Sequence, residues 1–153
     1  MGRISRKLAD LAIALPPPSP PVANYAPYII VGHLVFISGQ LSFGPDGLIR
    51  GKLGAGLTIE AGIDAARACG INLLGHLSAA TEGDLDRVRR VVRLGVFVNS
   101  APDFVDQPKV ANGASDLMIA VFGELGRHAR TSVGAPSLPK GAAVEVDGVF
   151  EIA

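Results

Sequence analysis

The charged residues near the C-terminus are the ones whose types and spacing could do chemistry. Arg130 stands just ahead of a predicted strand, and Glu145 and Asp147 interrupt the next strand. A guanidinium keeps its proton, and it holds a carboxylate through two parallel hydrogen bonds. Because Arg130 flanks an apolar strand, its charge is expected to be partly desolvated and to need an anionic partner. That partner is either a carboxylate ligand or an Asp or Glu side chain in a structural salt bridge.

The two acidic residues are two positions apart, so in a strand both side chains point to the same side of the sheet. Val144 and Val146 then point to the other side. An ordinary solvated strand face would show the same pattern. The spacing therefore indicates an acidic surface and leaves its chemistry open.

These residues need a sheet to position them, and the sequence predicts one together with two helices. From the predicted N-cap Thr58, apolar residues such as Ile59, Ile63, Leu73 and Leu77 recur at helical spacing. The predicted elements, in chain order, are a helix over 3–14 that ends at the PPPSPP segment, strands ending near Val31 and spanning 34–38, a short strand or loop within 48–54, the helix from Thr58, a strand near 88–98, a helix capped by Asp106 with Pro108 in its first turn, and strands near 131–136 and 143–152.

This order predicts an α+β fold in which two helices cover one face of a sheet. The other face would stay apolar, and self-association is the simplest way to cover it. Only 18% of the 153 residues are charged, against about 25% in an average soluble domain, which favours the same conclusion. The length suits one domain with one core.

The composition argues against several classes of protein. The formal net charge is zero and 5% of residues are aromatic, whereas nucleic-acid binders usually carry a basic excess and stacking platforms. Cys69 is the single cysteine, so no internal disulfide or thiolate metal cluster can form. The three histidines lack an acidic cluster at ligand spacing, and we expect no metal and no cofactor. No apolar run approaches the 18 residues of a membrane span, and we expect a cytoplasmic protein with no membrane partner.

Three segments of the sequence carry a family resemblance, namely LVFISGQLSFGPDG, RVVRLGVFVNSAPDF and ARTSVGAPSLPKGAAVEVDGVFEIA, in this order. They resemble segments of the Rid family, also called YjgF, whose characterised members are imine or enamine deaminases. The resemblance covers residues 22–153 and implies a chorismate-mutase-like fold. It also implies a homotrimer with a central barrel and with clefts between its subunits. Residues 1–21 are then an extension made of the N-terminal helix and a proline-rich connector.

The resemblance also implies a reaction. Arg130 would hold the carboxylate of a small 2-imino or enamine acid. Glu145 follows Arg130 by fifteen positions, as in the family, and would activate the water that attacks the imine carbon. The products would be a 2-keto acid and ammonia, formed without a cofactor. Asp147 matches a less decisive acidic position and is expected at the rim of the cleft.

Further substrate-binding residues follow from the same resemblance. Tyr28 resembles a family tyrosine that lines the cleft, with Tyr25 as its competitor. Ser38 matches a pocket serine, although a hydrogen bond at a strand end would explain it equally. Gly39 would allow close approach of the backbone. Asn112 resembles a family asparagine that contacts the ligand from the neighbouring subunit.

His128 departs from the family pattern, because many relatives have proline at this position. It is either a pocket group that titrates near neutrality or a loop residue. Two other functions remain open. The same cleft could belong to a non-catalytic binding module for small carboxylate metabolites. The family has also carried the label of an RNA-cleaving or translation-inhibiting protein, against which the zero net charge and the few aromatic residues argue.

Overall fold

The computed structural model describes residues 1–18, 20 and 23–153 and has the α+β architecture that the sequence predicts. The described residues form three α-helices and seven strands. In chain order the elements are α1 Arg3–Asp10, β1 Tyr28–Val31, β2 Leu34–Leu41, β3 Phe43–Gly44, β4 Gly47–Leu48, α2 Ile59–Ala80, β5 Val88–Asn99, α3 Gln107–Phe122, β6 Ala129–Ala135 and β7 Val144–Ile152.

Five strands form the main sheet in the order β1-β2-β7-β5-β6, and β3 pairs with β4 in a separate hairpin. All neighbours in the main sheet are antiparallel except β5 and β6, which are parallel. Strands β6 and β7 follow each other in the sequence, but β5 lies between them. The two C-terminal strands are therefore not partners, and the segment around Pro139 carries the chain past β5.

Helices α2 and α3 lie on one face of the sheet, α2 against β2 and β7 and α3 against β5 and β6. The Thr58 side chain accepts a hydrogen bond from the Ala61 amide at 3.1 Å, so this predicted N-cap is confirmed. Asp106 does precede α3, but its side chain makes no capping hydrogen bond. It instead lies 3.6 Å from the ammonium of Lys109.

Glycines let the two helices approach each other. A Cβ on Gly70 would lie 2.8 Å from a Leu117 methyl group, and one on Gly113 would lie 2.9 Å from the Ile63 carbonyl carbon. Both distances are below van der Waals contact. Gly70 of α2, which costs helix propensity, is thus explained by packing on α3, whereas Gly75 of the same helix faces Pro16.

The N-terminal helix is shorter than the predicted 3–14, because it ends at Asp10. Its first turn is anchored from outside, since the Arg3 and Ile4 amides donate to the Asp86 carboxylate at 2.7 and 2.8 Å. Ile4 and Leu8 are buried in the one core cluster that the sheet and the long helices share. The expected boundary between residues 1–21 and 22–153 falls at Pro21 and Val22, which lie outside the described residues.

The sheet face away from the helices carries exposed apolar side chains. Phe36 is 44% exposed, Phe97 38% and Val133 43%. They belong to β2, β5 and β6, and Phe97 and Val133 are direct cross-strand partners. The Arg93–Asp147 ion pair lies on the same face and separates Phe36 from them. The Phe97–Val133 pair is therefore the continuous apolar patch of this face, and exposed apolar patches often mark sites of association.

Candidate functional site

The Arg130 side chain lies at the start of β6 and is held by groups from α3. Its Nη1 donates to the Asn112 Oδ1 at 2.8 Å and to the Ser115 Oγ at 3.0 Å, and its Nη2 donates to the Pro108 carbonyl at 3.4 Å. All three acceptors are neutral. The ion pairs found among the described residues do not include Arg130. Its charge is therefore positioned by the protein and left without a protein carboxylate in the described part of the chain.

His128 belongs to the same network. Its Nδ1 lies 2.6 Å from the Gly126 carbonyl, which can only accept, so Nδ1 carries a proton. In the neutral ring, Nε2 then accepts from the Ser115 hydroxyl at 2.8 Å. That leaves a lone pair of the Ser115 oxygen for Arg130. His128 is thus a loop residue whose ring contacts Arg130 through Ser115. Arg130, His128, Ser115 and Asn112 are called the Arg130 cluster below.

Glu145 lies on β7 against a bulge in β2. The pairing of β2 with β7 shifts between Ile37 and Gln40, at the Ser38–Gly39 step. A Cβ on Gly39 would lie 3.0 Å from the Glu145 carboxyl carbon and closer still to its Oε1. Only glycine therefore lets the half-buried carboxylate sit at this position.

A cavity of about 400 Å³ opens beside this carboxylate. It lies where β1 no longer covers the edge of β2, and it is called the Glu145 cavity. Its lining includes Tyr25, Gly39, Gln40, Phe43, His76, Lys140 and Glu145.

The electrostatics of the cavity favour a base. Burial raises the pKa of Glu145, and the nearby Asp147 charge raises it further. Burial also raises the pKa of Asp147, while Arg93, 3.4 Å away, lowers it. A carboxylate with a raised pKa binds a proton more strongly in a reaction near neutral pH.

The Arg130 cluster and the Glu145 cavity do not meet within one chain. Arg130 pairs with Leu94, whose side chain is buried toward the helices, whereas Glu145 pairs with the exposed Phe97. Paired residues share a sheet face, so the two charged side chains point to opposite faces. Two strand spacings and three residues of offset put their Cα atoms roughly 14 Å apart. A small substrate cannot touch both groups in a single chain.

Some of the remaining candidate residues line the Glu145 cavity, and the others do not. Gly39 lines the cavity, and the hydroxyl of Ser38, which lies in β2 at the bulge, donates to the Ala26 carbonyl at 2.7 Å. Tyr25 lines the cavity, whereas Tyr28 is partly buried against the core. Asn112 contacts Arg130 of its own chain.

A family model described as "YjgF/chorismate_mutase-like, putative endoribonuclease" matches residues 5–151. The chain belongs to this YjgF/chorismate mutase-like family. Its resemblance to Rid proteins and its fold are thereby confirmed. The match begins within α1, at residue 5.

Several relatives of known sequence or structure are similar to this YjgF-like chain. Protein TCP17 of Trypanosoma cruzi is 51% identical over an alignment of 153 positions that covers 99% of this chain and 95% of the relative. A structure of unknown function from Agrobacterium tumefaciens is 42% identical, covers 98% of this chain and 94% of its own, and superposes with a TM-score of 0.90. RidA from an Antarctic Psychrobacter is 27% identical over 88% of this chain and 94% of its own, with a TM-score of 0.58.

Three features of this YjgF-like protein escaped the sequence reasoning. Ser115 joins His128 to Arg130, and its helical spacing from Asn112 was the signal that could have found it. His76 and Lys140 line the Glu145 cavity.

Among the described residues, no cluster of three or more potential metal ligands occurs. No helix in the same part of the chain is long and apolar enough to cross a bilayer.

Proposed function

We propose that this protein hydrolyses small 2-imino and enamine acids to 2-keto acids and ammonia at a site that two copies of the chain complete. One observation carries the proposal. The chain presents an arginine with no carboxylate partner among the described residues on one surface, and a carboxylate of raised pKa beside a cavity on another. The Arg130 cluster of one copy and the Glu145 cavity of the next supply complementary parts of one active site.

The reaction uses the two groups in sequence. Arg130 binds the substrate carboxylate and so fixes the imine carbon near Glu145 of the other copy. An enamine substrate first tautomerises to the imine. Glu145 accepts a proton from water as the water oxygen bonds to the imine carbon, and it then gives that proton to the imine nitrogen, which forms a carbinolamine. In the second step Glu145 takes the hydroxyl proton and passes it to the amino nitrogen, so that the C–N bond breaks, its electron pair leaves with ammonia, and the keto group forms. One water is consumed for each ammonia released.

The exposed sheet face supports the assembly that this site requires. Phe97 and Val133 form an exposed apolar pair on it, next to Glu145 and the Arg93–Asp147 ion pair. Burying apolar area stabilises association by about 25 cal/mol per Å². We propose that three copies bury this face as a central barrel, which brings the edge strand β6 of one copy toward β2 and β7 of the next.

The test generates 2-aminoacrylate with a dehydratase and follows formation of the keto acid in the presence of the protein. Arg130→Ala is expected to lower kcat/KM by about 100-fold or more, because two charge-assisted hydrogen bonds to the substrate are lost. Arg127→Ala is the matched control, since Arg127 is exposed and pairs locally with Glu124 at 3.1 Å. It should keep wild-type activity.

Two results would point to other functions. Wild-type protein that gives the buffer rate but binds keto acids tightly would be a metabolite-binding module. Binding of RNA that weakens steeply with salt would favour the endoribonuclease named in the family description. Equal rates for wild type, Arg130→Ala and buffer would end the deaminase proposal.

A further inference from the structure

His76 is a buried polar residue that the proposed reaction does not use. It lies on α2 with 4% of its surface exposed. Its Nδ1 is buried and has no hydrogen-bond partner in the part of the chain that the structure describes. Buried polar atoms in native proteins are almost always paired, so an orphaned ring nitrogen calls for a partner from outside the chain.

The cavities around His76 show where such a partner would come from. His76 lines the Glu145 cavity, and it also lines a smaller cavity of about 150 Å³ together with Asn72 and Pro16–Pro18. Gln40, Phe43 and His76 are common to both. A path of open space therefore leads from the carboxylate, past the uncovered edge of β2, to the imidazole.

The surroundings determine which chemical group the imidazole would bind. Burial lowers the pKa of His76, so the ring is neutral and offers one donor and one acceptor. A second carboxylate would be repelled by Glu145 and desolvated at this end of the cavity. Lys140 also lines the cavity, but it is exposed, and its ammonium lies 5.8 Å from the centre of the Phe43 ring. Water screens that charge, so the buried end favours a neutral polar group.

We propose that His76 is a substrate-contacting residue that selects 2-imino acids whose side chain ends in an uncharged hydrogen-bonding group, such as a carboxamide. This inference rests on the proposed function, because the substrate must be held near Glu145 for its side chain to reach His76. Apolar side chains of equal size would leave the imidazole unpaired and would bind less well.

Calorimetry with three product keto acids of nearly equal shape tests the selection without requiring turnover. These are the keto acids that correspond to asparagine, leucine and aspartate. Wild type should bind the asparagine-derived acid at least tenfold more tightly than the other two. His76→Leu should abolish that preference, and His76→Gln, which can still donate and accept, should retain most of it. His33→Leu changes an exposed histidine in the β1–β2 turn and should behave as wild type.

The outcomes separate this inference from the proposed reaction. An unchanged preference in His76→Leu, or tightest binding of the aspartate-derived acid by wild type, would overturn the role of His76 even if deamination is observed. Selective binding that depends on His76 and on Arg130, without any turnover, would overturn the deaminase proposal and keep the selection. Failure of all three acids to bind would overturn the role of His76, and the deaminase proposal would then be decided by the 2-aminoacrylate assay. Thermal unfolding of each variant checks that a lost preference does not reflect a lost fold.

Discussion

The contact between Gly39 and Glu145 gives the sharpest prediction for catalysis. In Gly39→Ala the new Cβ would lie 3.0 Å from the carboxyl carbon and 3.2 Å from the Cγ of Glu145. Comfortable carbon–carbon contact is about 3.5–4.0 Å. The carboxylate must therefore move by about 0.5–1 Å, and a misplacement of about 1 Å at a reacting group can cost about 100-fold in rate. We expect kcat to fall by about 10- to 100-fold.

The assay is the coupled 2-aminoacrylate reaction, with the unfolding temperature measured in parallel. Gly44→Ala is the matched control, because its Cβ would meet its nearest neighbour, an Ile49 methyl group, at an ordinary 3.7 Å. Both variants should unfold near the wild-type temperature, and only Gly39→Ala should lose activity. Full activity of a folded Gly39→Ala protein would refute the argument that the exact position of the Glu145 carboxylate matters.

Three further predictions concern pH, the N-terminal helix and assembly. Because burial and the Asp147 charge raise the pKa of Glu145, this carboxyl takes up its proton at a higher pH than an ordinary glutamate, and kcat/KM should fall as pH drops through that raised pKa. Asp147→Asn removes the repelling charge and should move this limb of the pH–rate profile to lower pH. The pKa of Asp86 is lowered chiefly by the hydrogen bond from the Ile4 amide. The ionised carboxylate therefore stabilises α1 fully above the unfolded carboxyl pKa of about 3.9, and this stabilisation is lost as pH falls through the folded pKa. Hydrogen exchange should show that α1 opens over that acid range in wild type and that it is already open at neutral pH in Asp86→Ala. Equal protection of α1 in the two proteins would contradict the claim that Asp86 anchors this helix. Phe97→Glu should dissociate the oligomer in light scattering, and an unchanged mass would argue against association through this face.

The elements that the sequence predicted well are those with strong local signals. The first strand ends at Val31, as expected, because Gly32 with φ +59° makes the turn that follows. Thr58 caps α2 through its own side chain. The end of α1 was missed, because apolar residues continue at helical spacing to Leu15 although the chain leaves the helix after Asp10. The spacing of apolar residues shows which side chains are buried, but a non-helical segment can bury side chains at the same positions.

The candidate site was harder to predict than the fold. Its two main residues were identified from spacing and resemblance, but their opposite orientation depends on β5 lying between β6 and β7. No local pattern encodes that order of strands. His76 was unremarkable in the sequence, because its cavity exists only where the β2 edge, the proline segment and α2 meet. Long-range packing, rather than composition, creates such a position.

The anchoring of α1 has a practical consequence for shortening the protein. Ile4, Leu8 and Ile13 fill the same core as the sheet, and Asp86, which anchors the first turn of α1, comes two residues before strand β5. Deleting residues 1–15 would remove part of the hydrophobic core rather than a dispensable terminal segment. The shortened chain would expose an apolar groove and would leave Asp86 without its two amide donors. We expect it to aggregate more readily than the intact protein.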